Sequence, residues 1–169
     1  MAAQIGDVQV VRGSSGQVIE YPVDDRTTSS QTETIKAGNP VVQDNENYVE
    51  IVPDGDPINT DGAFVGIASN ESSETSSAEG VVNVEIVVPM VTVLRAKATT
   101  VANINTAAKL LAIISDAITF NNTSNVITID ENEGTDPNVH GLVVIGGNIS
   151  KGTLDVVVKP LATIFGNNI

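Results

Sequence analysis

Residues 79–97 read EGVVNVEIVVPMVTVLRAK, and their apolar positions recur at every second residue. Val82, Val84 and Ile86 fall on one side of that period and Asn83 and Glu85 on the other, the pattern of a strand lying between core and solvent. Pro89 has no amide proton to give a central ladder. The run is therefore expected to bend, bulge or follow an edge there before residues 90–94 continue it.

The same two-residue alternation marks the rest of the chain, except for one stretch. Short apolar alternations at 8–11 and 18–23 are joined by polar residues 13–16 and followed by DDRTTSSQTET, which has no apolar residue. Residues 1–34 are accordingly read as an N-terminal arm and linker, and 35–169 as the folded domain. From Ile35 onward, KAGNPVV, residues 48–52, the turn PDGDPINTDG, residues 63–68 and the loop SNESSETSSAEG follow one another at the spacing of a sandwich or barrel. After Lys97 the period changes. Ile104, Ala107, Ala108, Leu111 and Ile114 fit a helical stripe of about ten residues, with Asn103 or Asn105 as N-cap, although Ile113 and Ile114 could instead open a strand. Strands are expected again at 117–120, 126–130, 142–145 and 154–159, the last two joined as a hairpin by Gly146, Gly147 and Gly152. No internal repeat is legible. The fold class read from this pattern is mainly β: a compact barrel or sandwich with one short helix and an extended N-terminal arm.

Composition supports that reading. The 169 residues contain no Trp or Cys, and only Phe64, Phe120, Phe165, Tyr21 and Tyr48 are aromatic, so a single-domain core must be built from Val, Ile, Leu and Ala. β-Branched side chains suit pleated sheets. Without cysteine there is no disulfide, thiolate nucleophile or thiolate metal site. The opening MAAQIGDVQVVRGSSG lacks the basic and apolar regions of a secretory signal, and no apolar run reaches the roughly twenty residues of a membrane helix. A soluble chain is expected.

Charge excludes one class of partner. With 8 basic against 21 acidic residues the net charge is -13, and Arg12, Arg26 and Arg95 are widely spaced with no stacking aromatics, so nucleic acid is not an expected ligand. Chemistry is equally thin. The single histidine, His140, sits in the polar turn DPNVHG, away from any hydroxyl in a nucleophile pattern, and IGGNISKG does not follow the strand-to-helix order of a phosphate cradle. Asp54, Asp56 and Asp61 in one loop and Asp130, Glu131, Glu133 and Asp136 in another could offer oxygen ligands to calcium, but neither loop matches the twelve-residue calcium pattern. Solvated acidic turns explain both better. Asn70, Asn121, Asn122 and Asn148 begin glycosylation sequons that an Asn- and Ser-rich chain produces by chance. No catalytic residue, cofactor or metal site is assigned.

The order TIKAGNPVV, GAFVGIAS, a polar loop, AEGVVNVEIVVPMVTVLRAKA and a closing VVVKP strand resembles the small capsid decoration, or cement, proteins of tailed bacteriophages. That family places a "vGiA" strand after a glycine-containing opening, then a Ser- and Gly-rich loop, then a glycine-led long strand. Here these correspond to residues 37–42, 64–68, 69–80 and 81–97, the resemblance spans roughly 34–160, and 99–125 departs from the pattern. The resemblance implies a non-enzymatic virion protein on the capsid exterior that binds the major capsid protein, commonly as a homotrimer, with no membrane or small-molecule partner. Ile5, Val8, Val10, Arg12, Val18, Ile19 and Tyr21, in the arm, are the expected capsid contacts. Two other classes stand beside it: a tail, fibre or adhesin-like β module binding calcium or a glycan, and an enzyme with an unrecognised site.

Overall fold

The computed structural model describes residues 8–23, 34–43, 48–52, 63–73, 78, 80–132 and 141–160. Among these residues, eleven strands and one α-helix follow in the order β1 (Gln9–Arg12), β2 (Val18–Pro22), β3 (Pro40–Gln43), β4 (Val49–Ile51), β5 (Ala63–Ala68), β6 (Val81–Ile86), β7 (Val93–Lys97), α1 (Ala107–Ile113), β8 (Ala117–Thr123), β9 (Val126–Asp130), β10 (Leu142–Asn148) and β11 (Thr153–Val158). They make two antiparallel sheets, β1-β7-β11-β10-β8-β9 and β2-β6-β5-β3-β4. The architecture is sandwich-like. Neither sheet closes into a barrel, but each curls back through one parallel bridge, β9 to the residue after β7 (Ile129 to Ala98) in the first and β4 to the residue after β2 (Val49 to Val23) in the second.

Alternation decides which side of each strand is buried. Val82, Val84 and Ile86 of β6 and Leu94 and Ala96 of β7 belong to one core cluster with Leu154, Val156 and Val158 of β11, while Asn83, Glu85, Arg95, Lys97 and Asp155 face away. Phe64 and Phe120, both fully buried, stack across the two sheets with ring centroids 6.1 Å apart. Burying such side chains stabilises the fold by roughly 1.5–3 kcal/mol each. In a chain this poor in aromatics, that contact is the one aromatic stack among the described residues, within a core otherwise built of aliphatic side chains from both sheets.

Pro89 marks a change of sheet. The 79–97 run is not one long strand: β6 ends in the five-stranded sheet, and β7 begins in the six-stranded one after a tight turn. Val91 N–H donates to the Val88 carbonyl at 3.1 Å and Thr92 N–H to the same oxygen at 2.9 Å. Proline at the second turn position and Met90 at the third, with φ 58°, is the arrangement of a type II turn, in which glycine is the usual third residue. Met90 N–H also donates to Val158 O at 2.9 Å, and Thr92 Oγ1 donates to Gly13 O at 2.7 Å. Gly13 has φ 69°, and a Cβ there would stand 2.4 Å from Val91 O, so the β1–β2 connection can pass the turn only as glycine.

The described part of the expected arm is built into the sheets. β1 pairs with β7 and β2 with β6, as edge strands, and Val8 and Val23 are core residues. Residues 1–7 and 24–33 of the arm lie outside the described residues.

The helix is shorter and turned relative to the predicted stripe. Its N-cap is Thr106, whose hydroxyl accepts from Lys109 N–H, and it runs for 7 residues. Ile104 is buried but precedes the helix, Leu111 is 67% exposed, and Leu110 and Ile113 are the residues that pack on the core. Ile104, Leu111 and Ile114 fitted a helical period that the chain does not adopt before residue 107. The C-terminal strands lie where alternation placed them, though β8 and β10 run about a turn further. Ser124 and Asn125, with φ 54° and 64°, form the two-residue β8–β9 hairpin. Of the three hairpin glycines, Gly152 alone adopts positive φ, at 63°.

The two sheets share one strand order. Reading β7 as the counterpart of β2 and continuing through β8 to β11, β2-β6-β5-β3-β4 becomes β7-β11-β10-β8-β9, and the closing parallel bridge falls at the same place in both. The pairing registers agree: Val18 to Pro22 oppose Glu85 to Val81 as Val93 to Lys97 oppose Val157 to Thr153. The other ladders extend the match: Val41 opposes Gly66 and Pro40 opposes Ile67 as Ile118 opposes Leu142 and Ala117 opposes Val143, and Ala68 opposes Val84 as Val144 opposes Val156. The described residues thus build one topology twice, with β1 added to the edge of the second half.

Candidate functional site

The expected contact residues separate into buried and exposed groups. Val8 is 2% exposed and cannot meet a partner; Val10 and Tyr21 are half-buried against the core, and burial raises the Tyr21 phenol above its ordinary pKa. Arg12, Val18 and Ile19 are exposed, and Ile5 lies outside the described residues. β1 and β2, which carry them, are the outer strands of different sheets and are joined by residues 13–17 beside the Pro89–Met90 turn.

That turn brings two apolar side chains to the surface. Met90 and Val91 are 55% and 56% exposed, although the backbone beneath them is fixed by the four hydrogen bonds given above and by Val88 N–H donating to Thr92 Oγ1 at 2.9 Å. A methionine at φ 58° costs roughly 1–2 kcal/mol relative to an unstrained backbone. Glycine at this position would be free of that cost. A rigid, strained turn that carries exposed apolar side chains has the character of a contact point. The sequence predicts a bend, bulge or edge at Pro89; the signal for an exposed turn is a proline between two strands with no glycine or asparagine behind it.

A second feature lies on the outer face of the six-stranded sheet. Val11, Arg12, Val93, Arg95, Ile145 and Asp155 line a shallow groove of about 420 Å³. On its floor the Arg95 guanidinium donates to both oxygens of Asp155, Nε to Oδ1 at 2.6 Å and Nη2 to Oδ2 at 2.8 Å. That two-pronged bond holds the guanidinium further above its already high pKa. The side chains of Arg12 and Lys97, on the same face, form no hydrogen bond or ion pair among the described residues.

The candidate calcium residues do other work where they are described. Glu131, 7% exposed, accepts from Thr100 N–H at 3.0 Å and from the Asn103 amide at 2.9 Å, tying β9 to the short 3-10 turn Val101–Asn103. Asp130 Oδ1 accepts from Asn132 N–H at 2.9 Å. Asp54, Asp56, Asp61, Glu133, Asp136 and His140 lie outside the described residues. Three of the sequon asparagines are held by backbone: Asn70 Oδ1 accepts from Asn83 N–H, Asn122 donates to Val52 O, and Asn148 Oδ1 accepts from Lys151 N–H.

The exposed positions offer branched apolar side chains, unpaired cations and sheet edges. No protein-family model matches this chain, and neither does any curated protein sequence.

Proposed function

We propose that this chain is a structural virion protein that sits on the outside of a tailed-phage head and braces neighbouring major capsid subunits, associating with copies of itself, without catalysing a reaction. The observation that carries the reading is the Pro89–Met90–Val91 turn, where apolar side chains are kept exposed on a backbone that is both strained and tightly braced. A fastener needs such points, because contacts made many times over one shell add up even when each is weak. The segments that resemble decoration proteins support the same reading: KAGNPVV leads into β3, GAFVGIAS is β5, the glycine-led run forms β6 and β7, and VVVKP ends β11.

The test is co-sedimentation of purified protein with assembled heads stripped of it. Deleting residues 1–24 would be a poor version, because Val8 and Val23 are core residues and the β1 and β2 edge pairings would go with them. Surface variants are better. Wild-type protein is expected to bind heads saturably, and Met90→Gly with Val91→Ser to lose most of that binding while keeping the wild-type circular dichroism spectrum. Heads that never bind wild-type protein would overturn the reading.

A further inference from the structure

The two halves of like topology present equivalent sheet faces of opposite charge. In antiparallel pairs, directly opposed residues share a face. On the five-stranded sheet, the face turned away from the core therefore carries Val18 with Glu85, Glu20 with Asn83, and Pro22 with Val81. On the six-stranded sheet the equivalent face carries Val93 with Val157, Arg95 with Asp155, and Lys97 with Thr153, and β1 adds Arg12 beside Val93. Glu20 thus occupies the place that Arg95 occupies in the other half.

Two acids and no base stand on the first face; three bases and one acid stand on the second. Concentrating three of the chain's 8 basic residues on one face, in a molecule of net charge -13, leaves a local cationic surface within an acidic whole. Both faces also expose apolar side chains beside the charges: Val18 at 56% and Val81 at 40% on the acidic one, Val11 at 39% and Ile145 at 40% on the basic one. Charged groups flanking exposed branched side chains are what an interface rim and core require.

We propose that copies of this chain associate head to tail, the acidic outer face of the β2–β6 pair in one copy docking on the basic outer face of β1–β7–β11 in the next. The occupant is a second copy because the matching surface is part of the same chain, in the equivalent position of its other half. Such contacts are heterologous. They build a ring if the rotation between copies closes and an open series if it does not. The proposal deepens the self-association named in the preceding reading, but it is read on free protein. Failure of head binding would leave it standing, and a failure here would leave head binding standing.

Charge reversal tests it without shells. Arg12→Glu with Lys97→Glu makes both faces acidic; Glu20→Lys with Glu85→Lys makes both basic. Arg95 is left alone because it is tied to Asp155. By sedimentation velocity, the wild-type protein at low salt is expected to form species larger than one chain, and raising salt to about 1 M, where the screening length falls to about 3 Å, should dissociate them. Each reversed variant alone should self-associate at least about tenfold more weakly, and an equimolar mixture of the two should restore association, because each then meets a face of opposite sign. Circular dichroism on each variant checks that the fold is kept, and Arg12→Lys should behave as wild type. A wild-type protein that stays monomeric at low salt, an oligomer indifferent to both salt and charge reversal, or a mixture that does not associate would each overturn the proposal.

Discussion

Replacing Met90 by glycine and by alanine separates the strain of its turn from the contacts of its side chain. Both changes remove the same apolar atoms, so the burial lost is nearly equal, and the difference between the two variants reports the backbone. At an ordinary position alanine is the more stable of the pair by roughly 0.5–1 kcal/mol, because glycine has more freedom to lose on folding. At φ 58° an L side chain costs roughly 1–2 kcal/mol that glycine does not. Subtracting the first from the second leaves Met90→Gly more stable than Met90→Ala by about 0.5–1 kcal/mol, a reversal of the usual order. Urea unfolding followed by far-ultraviolet circular dichroism resolves such a difference as a shift in midpoint at constant slope. Alanine equal to or more stable than glycine would refute the strained turn. In head binding the two variants should fail alike, since both lack the side chain, whatever their order in stability.

Other consequences follow from single residues. A Cβ on Gly66 would stand 2.0 Å from Glu85 O, so Gly66→Ala should cost about 3 kcal/mol in urea unfolding; a cost below about 1 kcal/mol would mean that β5 and β6 are not so closely apposed. Thr119 is fully buried and its hydroxyl has no hydrogen-bond partner among the described residues. Thr119→Val should therefore raise stability by about 1 kcal/mol, and a loss would show that the hydroxyl is satisfied. Burial raises the Tyr21 pKa above 10.0, so the folded state holds its phenolic proton longer than the unfolded one. The associated stability is present below about pH 10 and is lost as pH rises through the folded value; Tyr21→Phe should flatten the alkaline loss, and an unchanged slope would count against it.

Much of the β framework was legible because alternation is a local signal. Val82, Val84 and Ile86, and Leu154, Val156 and Val158, show their buried face in the residue order alone. Helical stripes are read on weaker ground: Ile104 and Leu111 have the right spacing, yet Thr106 supplies the cap, and the helix starts after Ile104 and packs a half-buried Leu110 on the core instead. The repeated topology was not legible because equivalent residues lie at unequal distances, from Val18 to Val93, from Gly66 to Leu142 and from Val81 to Thr153, so no single period survives. The exposed turn and the opposed faces were invisible for a related reason. Both depend on which strands become neighbours, and pairing is a tertiary fact. The arm was judged by its polar linker, whereas Val8 and Val23, single valines at the ends of short alternations, are what anchor β1 and β2.

The most direct test of a shell fastener is the protein content of purified phage heads, measured by quantitative mass spectrometry against the major capsid protein. A fixed ratio of this chain to the capsid subunit, kept through gradient purification, is the predicted result. Heads that contain none of it would contradict the account.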